Sequence, residues 1–308
     1  MDNPQETDNL NIKCSSLCIK CFSNIKWLAG FFDAEGSINL NDGPSIDIIN
    51  NCSRMSFFIK DILNSIGINA DINEREKPSK SSKKPRWNIF LRDELQIKLF
   101  LKHVKPFVRS KQLQLDLIKE WYDTKSVDIK NKVKFANKFK DRIITSKVEE
   151  KYPDIPVLND DDGIITYGNF SDLDYVAGLI DGDGSINLNC KDSKKQNIYT
   201  PQVLFVNTNK IIVKSYCSTL KNINVGHIIK FRTEGEVTKR RRWDIKVSGI
   251  KRCCNFLEQI KDHLEIKREQ ANLLLQYCKH RLTTNKTEDN LGFDCKKSIE
   301  GMQKGFYI

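Results

Sequence analysis

Glu35 and Asp183 are the residues from which chemistry could start. Glu35 stands in WLAGFFDAEGSINL, residues 27 to 40, and Asp183 in YVAGLIDGDGSINL, residues 175 to 188. Each acid follows a small-residue pair, Ala29-Gly30 or Ala177-Gly178, and precedes a glycine and the identical run Ser-Ile-Asn-Leu-Asn. Carboxylates are hard oxygen donors, and two held together raise each other's pKa unless a cation lies between them. A helix ending at each acid adds exposed carbonyls and partial negative charge. The residue types therefore point to a hard divalent cation, and the duplication places it at a symmetry axis.

Ser171-Asp172-Leu173-Asp174 reads as an N-cap with an acidic first turn, which starts a helix through Val176-Ala177-Gly178-Leu179-Ile180. Glycine inside a helix costs about 1 kcal/mol relative to alanine, so its presence in both copies needs compensation. Gly30 and Ala34 are four apart, as are Gly178 and Gly182, and share a helical face almost without side chains. Two such faces can cross with their backbones nearly touching, which delivers one acid from each copy to a common point. An isolated D-x-D-G is usually a turn. Here the small-residue face and the second copy running into the same strand set that reading aside. Asp33 and Asp181 are assigned to helix ends or helix packing, not to ligation.

The order of signals after each motif is also shared. Alternating strands come first, then a helix through Phe57, Phe58, Ile62 and Leu63 or through Ile211, Ile212, Tyr216 and Leu220. Ile66-Gly67-Ile68 and Ile223-Asn224-Val225 turn into a further strand. Basic hairpin tips, Lys77 to Arg86 and Thr238 to Arg242, lead into Arg86-Trp87-Asn88-Ile89 and Arg242-Trp243-Asp244-Ile245. Two amphipathic helices close each half, most clearly over Leu113 to Trp121 and Ala271 to Tyr277. The expected fold is α+β: two pseudo-symmetric αββαββα repeats forming a saddle of antiparallel sheets, with the motif helices packed at the central interface. The boundaries are an N-terminal tail 1–23, a first repeat 24–123, a Lys-rich linker 124–170, a second repeat 171–281 and a polar C-terminal tail 282–308.

The 308 residues suffice for two such halves, and 51 Lys+Arg against 40 Asp+Glu give a net charge of +11, which favours a polyanionic partner. No apolar run approaches the roughly twenty residues that span a bilayer. With ten cysteines and no recognisable leader, the thiols are read as reduced and the protein as intracellular. The frequent Lys, Asn and Ile are consistent with an A·T-rich genome such as a mitochondrion's or plastid's. Cys14, Cys18 and Cys21 cluster, but without a fourth ligand or a nearby histidine they are read as part of a tail, not as a zinc site.

At this point the sequence resembles the LAGLIDADG homing endonucleases, in their single-chain, two-motif form. Val176 to Gly184 departs from the name pattern at Val176 and Gly182, and Leu28 to Gly36 departs at Phe31, Phe32 and Glu35. The resemblance implies that Glu35 and Asp183 bind metal, joined by the peptide carbonyls of Ala34 and Gly182. It implies a lysine near the cleavage centre at the start of each last core helix, matching Lys111 and Lys267. Their offset of 156 equals that between Trp87 and Trp243. It also implies a polar residue that orders water at the start of each middle helix, for which the count gives Asn51 and Thr208.

The activity so implied is metal-dependent cleavage of both strands of DNA, with a short stagger and 3′ overhangs. The cofactor is Mg²⁺, with Mn²⁺ able to substitute and Ca²⁺ supporting binding without cleavage. Base reading is expected on the outward strand positions: Asn39, Asn41, Arg86 and Asn88 in the first half, and Asn187, Asn189, Lys191, Arg242, Asp244 and Lys246 in the second. The hairpin at Asn41-Asp42-Gly43-Pro44 is much shorter than its counterpart around Lys191 to Asn197, so the two half-sites differ. The expected partner is an asymmetric duplex of roughly two turns bound by a monomer, with affinity falling steeply as salt rises. The alternative on the same fold is an intron maturase, an RNA-binding splicing cofactor. A regulator without catalysis is disfavoured by retention of both acids and both lysines.

Overall fold

The protein is described from a computed structural model, which covers residues 19–40, 43–75, 86–123, 141–142, 172–193, 196–232, 242–284 and 290–305. The first half runs α1 (Ile19–Glu35), β1 (Gly36–Leu40), β2 (Pro44–Asn50), α2 (Ser53–Ser65), β3 (Asp71–Arg75), β4 (Arg86–Leu91), α3 (Glu94–His103) and α4 (Gln112–Asp123). The second repeats that order as α5 (Leu173–Asp183), β5 (Gly184–Ser193), β6 (Gln196–Asn207), α6 (Lys210–Asn222), β7 (Ile228–Arg232), β8 (Arg242–Ser248), α7 (Ile250–Ile260) and α8 (Arg268–Thr284). A 3₁₀ turn links the last two helices of each half, Lys105–Phe107 and Lys261–His263.

Each half builds one four-stranded antiparallel sheet, in the orders β1-β2-β4-β3 and β5-β6-β8-β7. The period-two pattern sets the faces. Ile38, Leu40, Ile46, Ile48 and Ile89 are buried in the first sheet, and Ile186, Leu188, Val203, Phe205 and Ile245 in the second. Ser37 lies opposite Asp47 and Asn39 opposite Ser45, whereas Asn187 lies opposite Gln202 and Asn189 opposite Thr200, so polar residues collect on the other face. The helices cover the apolar faces, and the two sets of core residues join through α1 and α5 in one continuous cluster. No helix among the described residues is long and apolar enough to cross a membrane.

Two departures from the sequence reading stand out. α1 begins at Ile19, four residues before Ser23, and takes in Cys21. Cys14 and Cys18 lie outside the described residues, as do Asn41, nearly all of the linker and the hairpin tips short of Arg86 and Arg242. Where the linker is described, Arg142 donates to both carboxylate oxygens of Glu120 at 3.1 Å. The second departure is in the segment expected to be a polar tail. There α9 (Asn290–Gly305) buries Cys295 and Ile299 and packs beside α8 and β5. Gly292 makes that docking possible, since a Cβ there would lie 2.6 Å from the Tyr199 ring.

Candidate metal centre and nucleic-acid face

The small-residue faces of α1 and α5 meet backbone to backbone. A Cβ on Gly30 would lie 2.0 Å from the Tyr175 carbonyl oxygen, and one on Gly178 would lie 2.0 Å from that of Trp27. A turn further on, a Cβ on Gly182 would stand 2.6 Å from the Ala34 Cβ and 3.4 Å from the Glu35 Cγ. The helices therefore end side by side, and Glu35 and Asp183 share one locality.

Asp33 and Asp181 fix that arrangement and face away from it. Asp33, 4% exposed, accepts from the Arg109 and Ser110 amides, the Ser110 hydroxyl and the Tyr175 hydroxyl of the other half. Asp181, 3% exposed, accepts from the Glu265 and Lys267 amides and from the Trp27 indole N–H, again of the other half. Each buried carboxylate thus ties the start of its own half's last helix to the partner motif helix. The three donors to Asp181 oppose the burial that pushes its carboxyl upward. Arg109 adds an ion pair with Asp172 and lies 4.0 Å over the Tyr175 ring.

The same tethers aim the lysines. Lys111 donates to the Phe32 and Asp33 carbonyls at 2.9 and 2.5 Å, and Lys267 to the Ile180, Asp181 and Gly182 carbonyls at 2.6, 2.8 and 3.4 Å. Both ammonium groups therefore sit on the negative ends of the motif helices. Burial lowers the Lys267 pKa, against the opposing pull of Asp181, Asp183 and Glu35. Burial raises the Glu35 carboxyl first and the Asp183 charge raises it further, with Lys267 and Lys111 pulling the other way. Asp183 is also raised by burial, against Lys111, Lys267 and a hydrogen bond from Asn207.

That hydrogen bond comes from the residue before the expected Thr208. Asn207 Nδ2 donates to Asp183 Oδ2 at 3.2 Å, while its Oδ1 accepts from the Asn209 amide at 2.8 Å. Asn50 is the counterpart, its Oδ1 accepting from the Cys52 amide at 2.8 Å. Thr208 and Asn51 lie one residue later, between strand and helix. The sequence signal was available: Asn-x-Asn and Asn-x-Cys each precede a middle helix, and an Asx turn there holds the first side chain against the strand end.

Two carboxylates and the nearby Ala34 and Gly182 peptides supply oxygen donors, which suits a hard cation such as Mg²⁺. Among the described residues no cluster of three or more His, Cys, Asp or Glu side chains could hold a metal. A cation here would thus rely on carbonyl, water or substrate oxygens beyond the two acids.

The polar sheet faces are more organised than the sequence indicated. Asn39 and Ser45 both donate to Asp47 Oδ2 at 2.9 Å, which places an unforeseen acid on the first face. Asn189 donates to Gln202 Oε1 at 2.9 Å, and Asn187 to Ser185 Oγ at 3.1 Å. Asp244 is buried and ion-paired with Arg232 and Arg242, so it aims arginines instead of presenting its own oxygens. Asn88 is buried, with Oδ1 unpartnered in the structure. Lys191 is exposed, and Arg86 and Lys246 are half-buried at the surface.

Comparisons with known proteins agree with this geometry. Residues 24–105 match the LAGLIDADG-like domain. A stretch of 104 residues is 34% identical to DNA endonuclease I-CreI of Chlamydomonas reinhardtii; it covers 33% of this chain and 59% of that protein's length. The solved I-LtrWI LAGLIDADG homing endonuclease bound to target DNA aligns with a TM-score of 0.60 at 14% identity, covering 91% of this chain and 97% of that one. The LAGLIDADG meganuclease I-CpaMI bound to uncleaved DNA aligns with a TM-score of 0.60 at 15% identity, covering 91% and 98%. At these identities the solved structures establish a shared two-repeat fold.

Proposed function

We propose that this chain is a LAGLIDADG protein of the two-motif type and a site-specific endonuclease that cuts both strands of a long, asymmetric DNA target. The observation that carries the reading is the convergence of Glu35 and Asp183, one from each half, at the crossing of α1 and α5, with Lys111 and Lys267 on the adjoining helix ends. The relatives' descriptions as DNA endonucleases and as proteins bound to DNA targets support the same substrate class.

Hydrolysis forms a bond from a water oxygen to phosphorus and breaks the bond to the 3′ oxygen, which takes up a proton. Glu35, Asp183 and neighbouring carbonyls would hold Mg²⁺, which would supply a hard Lewis acid for the phosphodiester. The chain's own groups do the rest. Lys111 and Lys267 place positive charge where the pentacoordinate phosphate gains negative charge. Asn207 holds the Asp183 carboxylate in one rotamer, and the Asp33 and Asp181 tethers stop the two acids from drifting apart. Two equivalent groups of residues about one axis suit two strands, and the resemblance to the LAGLIDADG homing endonucleases implies that the break is staggered with 3′ overhangs.

The polar faces of the two sheets are the surface for the duplex, and the longer β5–β6 hairpin makes the second half-site unlike the first. Retention of both acids and both lysines at a shared centre favours cleavage over the RNA-binding role. The test is incubation with a library of random duplexes and Mg²⁺, followed by sequencing of the ends. A discrete cut at one long site with staggered ends is expected. No cleavage with Mg²⁺ or Mn²⁺, together with stimulated intron splicing, would overturn the proposal.

A further inference from the structure

The last turn of α9 reaches the free edge of β5 and touches a residue on the polar sheet face. Gln303 Nε2 lies 3.1 Å from the Ile186 carbonyl oxygen and 2.8 Å from Asn187 Oδ1. A backbone carbonyl can only accept, so the group facing it must be the Gln303 –NH₂ and not its oxygen. Its second hydrogen then points to Asn187, and that contact must be the Asn187 oxygen. The amide polarity of Asn187 is fixed in turn: Oδ1 is engaged by Gln303, and Nδ2 faces Ser185 Oγ at 3.1 Å. A relay anchored on one backbone carbonyl therefore decides which end of the Asn187 side chain is left for a ligand.

Resting on the endonuclease reading, we infer that Gln303 is a specificity-determining positioning residue, holding the Asn187 carboxamide as a hydrogen-bond donor toward one base pair of the target. An unrestrained asparagine pairs best with adenine, donating to N7 while accepting from N6. With one Oδ1 lone pair taken by Gln303 and the amide unable to flip, Asn187 offers an N–H in a fixed direction, and its partners are base edges that present an acceptor, N7 of a purine, O6 of guanine or O4 of thymine, whereas cytosine presents only a donor. The first half has no described counterpart to α9, and Asn39, which corresponds to Asn187, is instead bound to Asp47. The two halves thus set equivalent side chains in different ways, and the difference is written into a helix outside both repeats.

The experiment is a binding selection from random duplexes with Ca²⁺ in place of Mg²⁺, run on the full chain, Asn187→Ala, Gln303→Met and Gln303→Ala. Gln303→Met keeps the stem that covers β5 and removes only the donors. The wild-type protein should prefer an acceptor-bearing base over cytosine at one target position by about tenfold, the equivalent of about 1.4 kcal/mol. Asn187→Ala should flatten that position. Gln303→Met should shift the same position toward adenine and leave the remaining positions and the melting temperature close to wild type. Changes spread over many positions, a uniform loss of affinity, or no change in Gln303→Met would overturn the inference while leaving the endonuclease reading intact. Failure of the wild-type protein to enrich any discrete target would overturn both.

Discussion

At the scale of single residues, the centre is held together against its own electrostatics. Glu35 and Asp183 are kept close although burial and mutual charge raise the Glu35 carboxyl above the ordinary range. Between the ordinary value and the raised one, the folded protein binds more protons than the unfolded chain, so metal-free stability increases as pH falls through that window. Glu35→Gln removes the charge, and the metal-free variant should melt higher than wild type at neutral pH, with the difference shrinking in acid. A thermal melt across that range checks it, and a lower melting point at neutral pH would contradict the account. Both acids were legible in the sequence because the motif occurs twice. The contact of Asn207 with Asp183 was overlooked although its signal, Asn-x-Asn before a helix, is in the sequence, because the count to Thr208 ignores the Asx turn that holds the preceding side chain against the strand end.

At the scale of elements, two comparisons within the molecule give predictions. Gly178→Ala gains about 1 kcal/mol of helix propensity. Its Cβ, however, would meet the Trp27 oxygen at 2.0 Å and the Phe31 nitrogen at 2.7 Å, both backbone atoms that cannot rotate away. Helix separation then dominates, with a net loss at or above the ~1–3 kcal/mol typical of overpacking. Gly301→Ala in α9 meets nothing within 4 Å and should instead stabilise by up to about 1 kcal/mol. Opposite shifts in denaturation midpoint are expected, and equal ones would refute the close crossing. The middle helices differ in capping. Asn209 accepts from the Ile211 and Ile212 amides, whereas Cys52, with the same extended backbone, offers no cap. Cys52→Asn should add about 1 kcal/mol in the same measurement.

The αββαββα order and the last two helices of each half were readable from periodicity, since apolar residues recur at helical or strand spacing over whole elements. α9 was not. Its glycines and lysines have the composition of a tail, and only the spacing of Gly292, Cys295 and Ile299 betrays a face fitted to Tyr199 and α8. The start of α1 was missed by four residues because Ile19 and Cys21 look no different from the polar stretch before them.

At the scale of the whole molecule, under the proposed function near-symmetry would serve the cut and broken symmetry would serve recognition. β1 has five residues and β5 has ten, and α9 packs on the second half. The crossing of α1 and α5 is the part both halves share almost position for position, down to the exchanged tethers Tyr175 to Asp33 and Trp27 to Asp181. The central claim is that this crossing delivers Glu35 and Asp183 to one cleavage centre. Its most direct test is strand-resolved cleavage of a selected target by wild type, Glu35→Gln and Asp183→Asn with Mg²⁺, alongside binding of the same target with Ca²⁺. Either substitution should cut neither strand at an appreciable rate while target affinity stays within a few-fold of wild type. Unimpaired cutting by either variant would contradict the account.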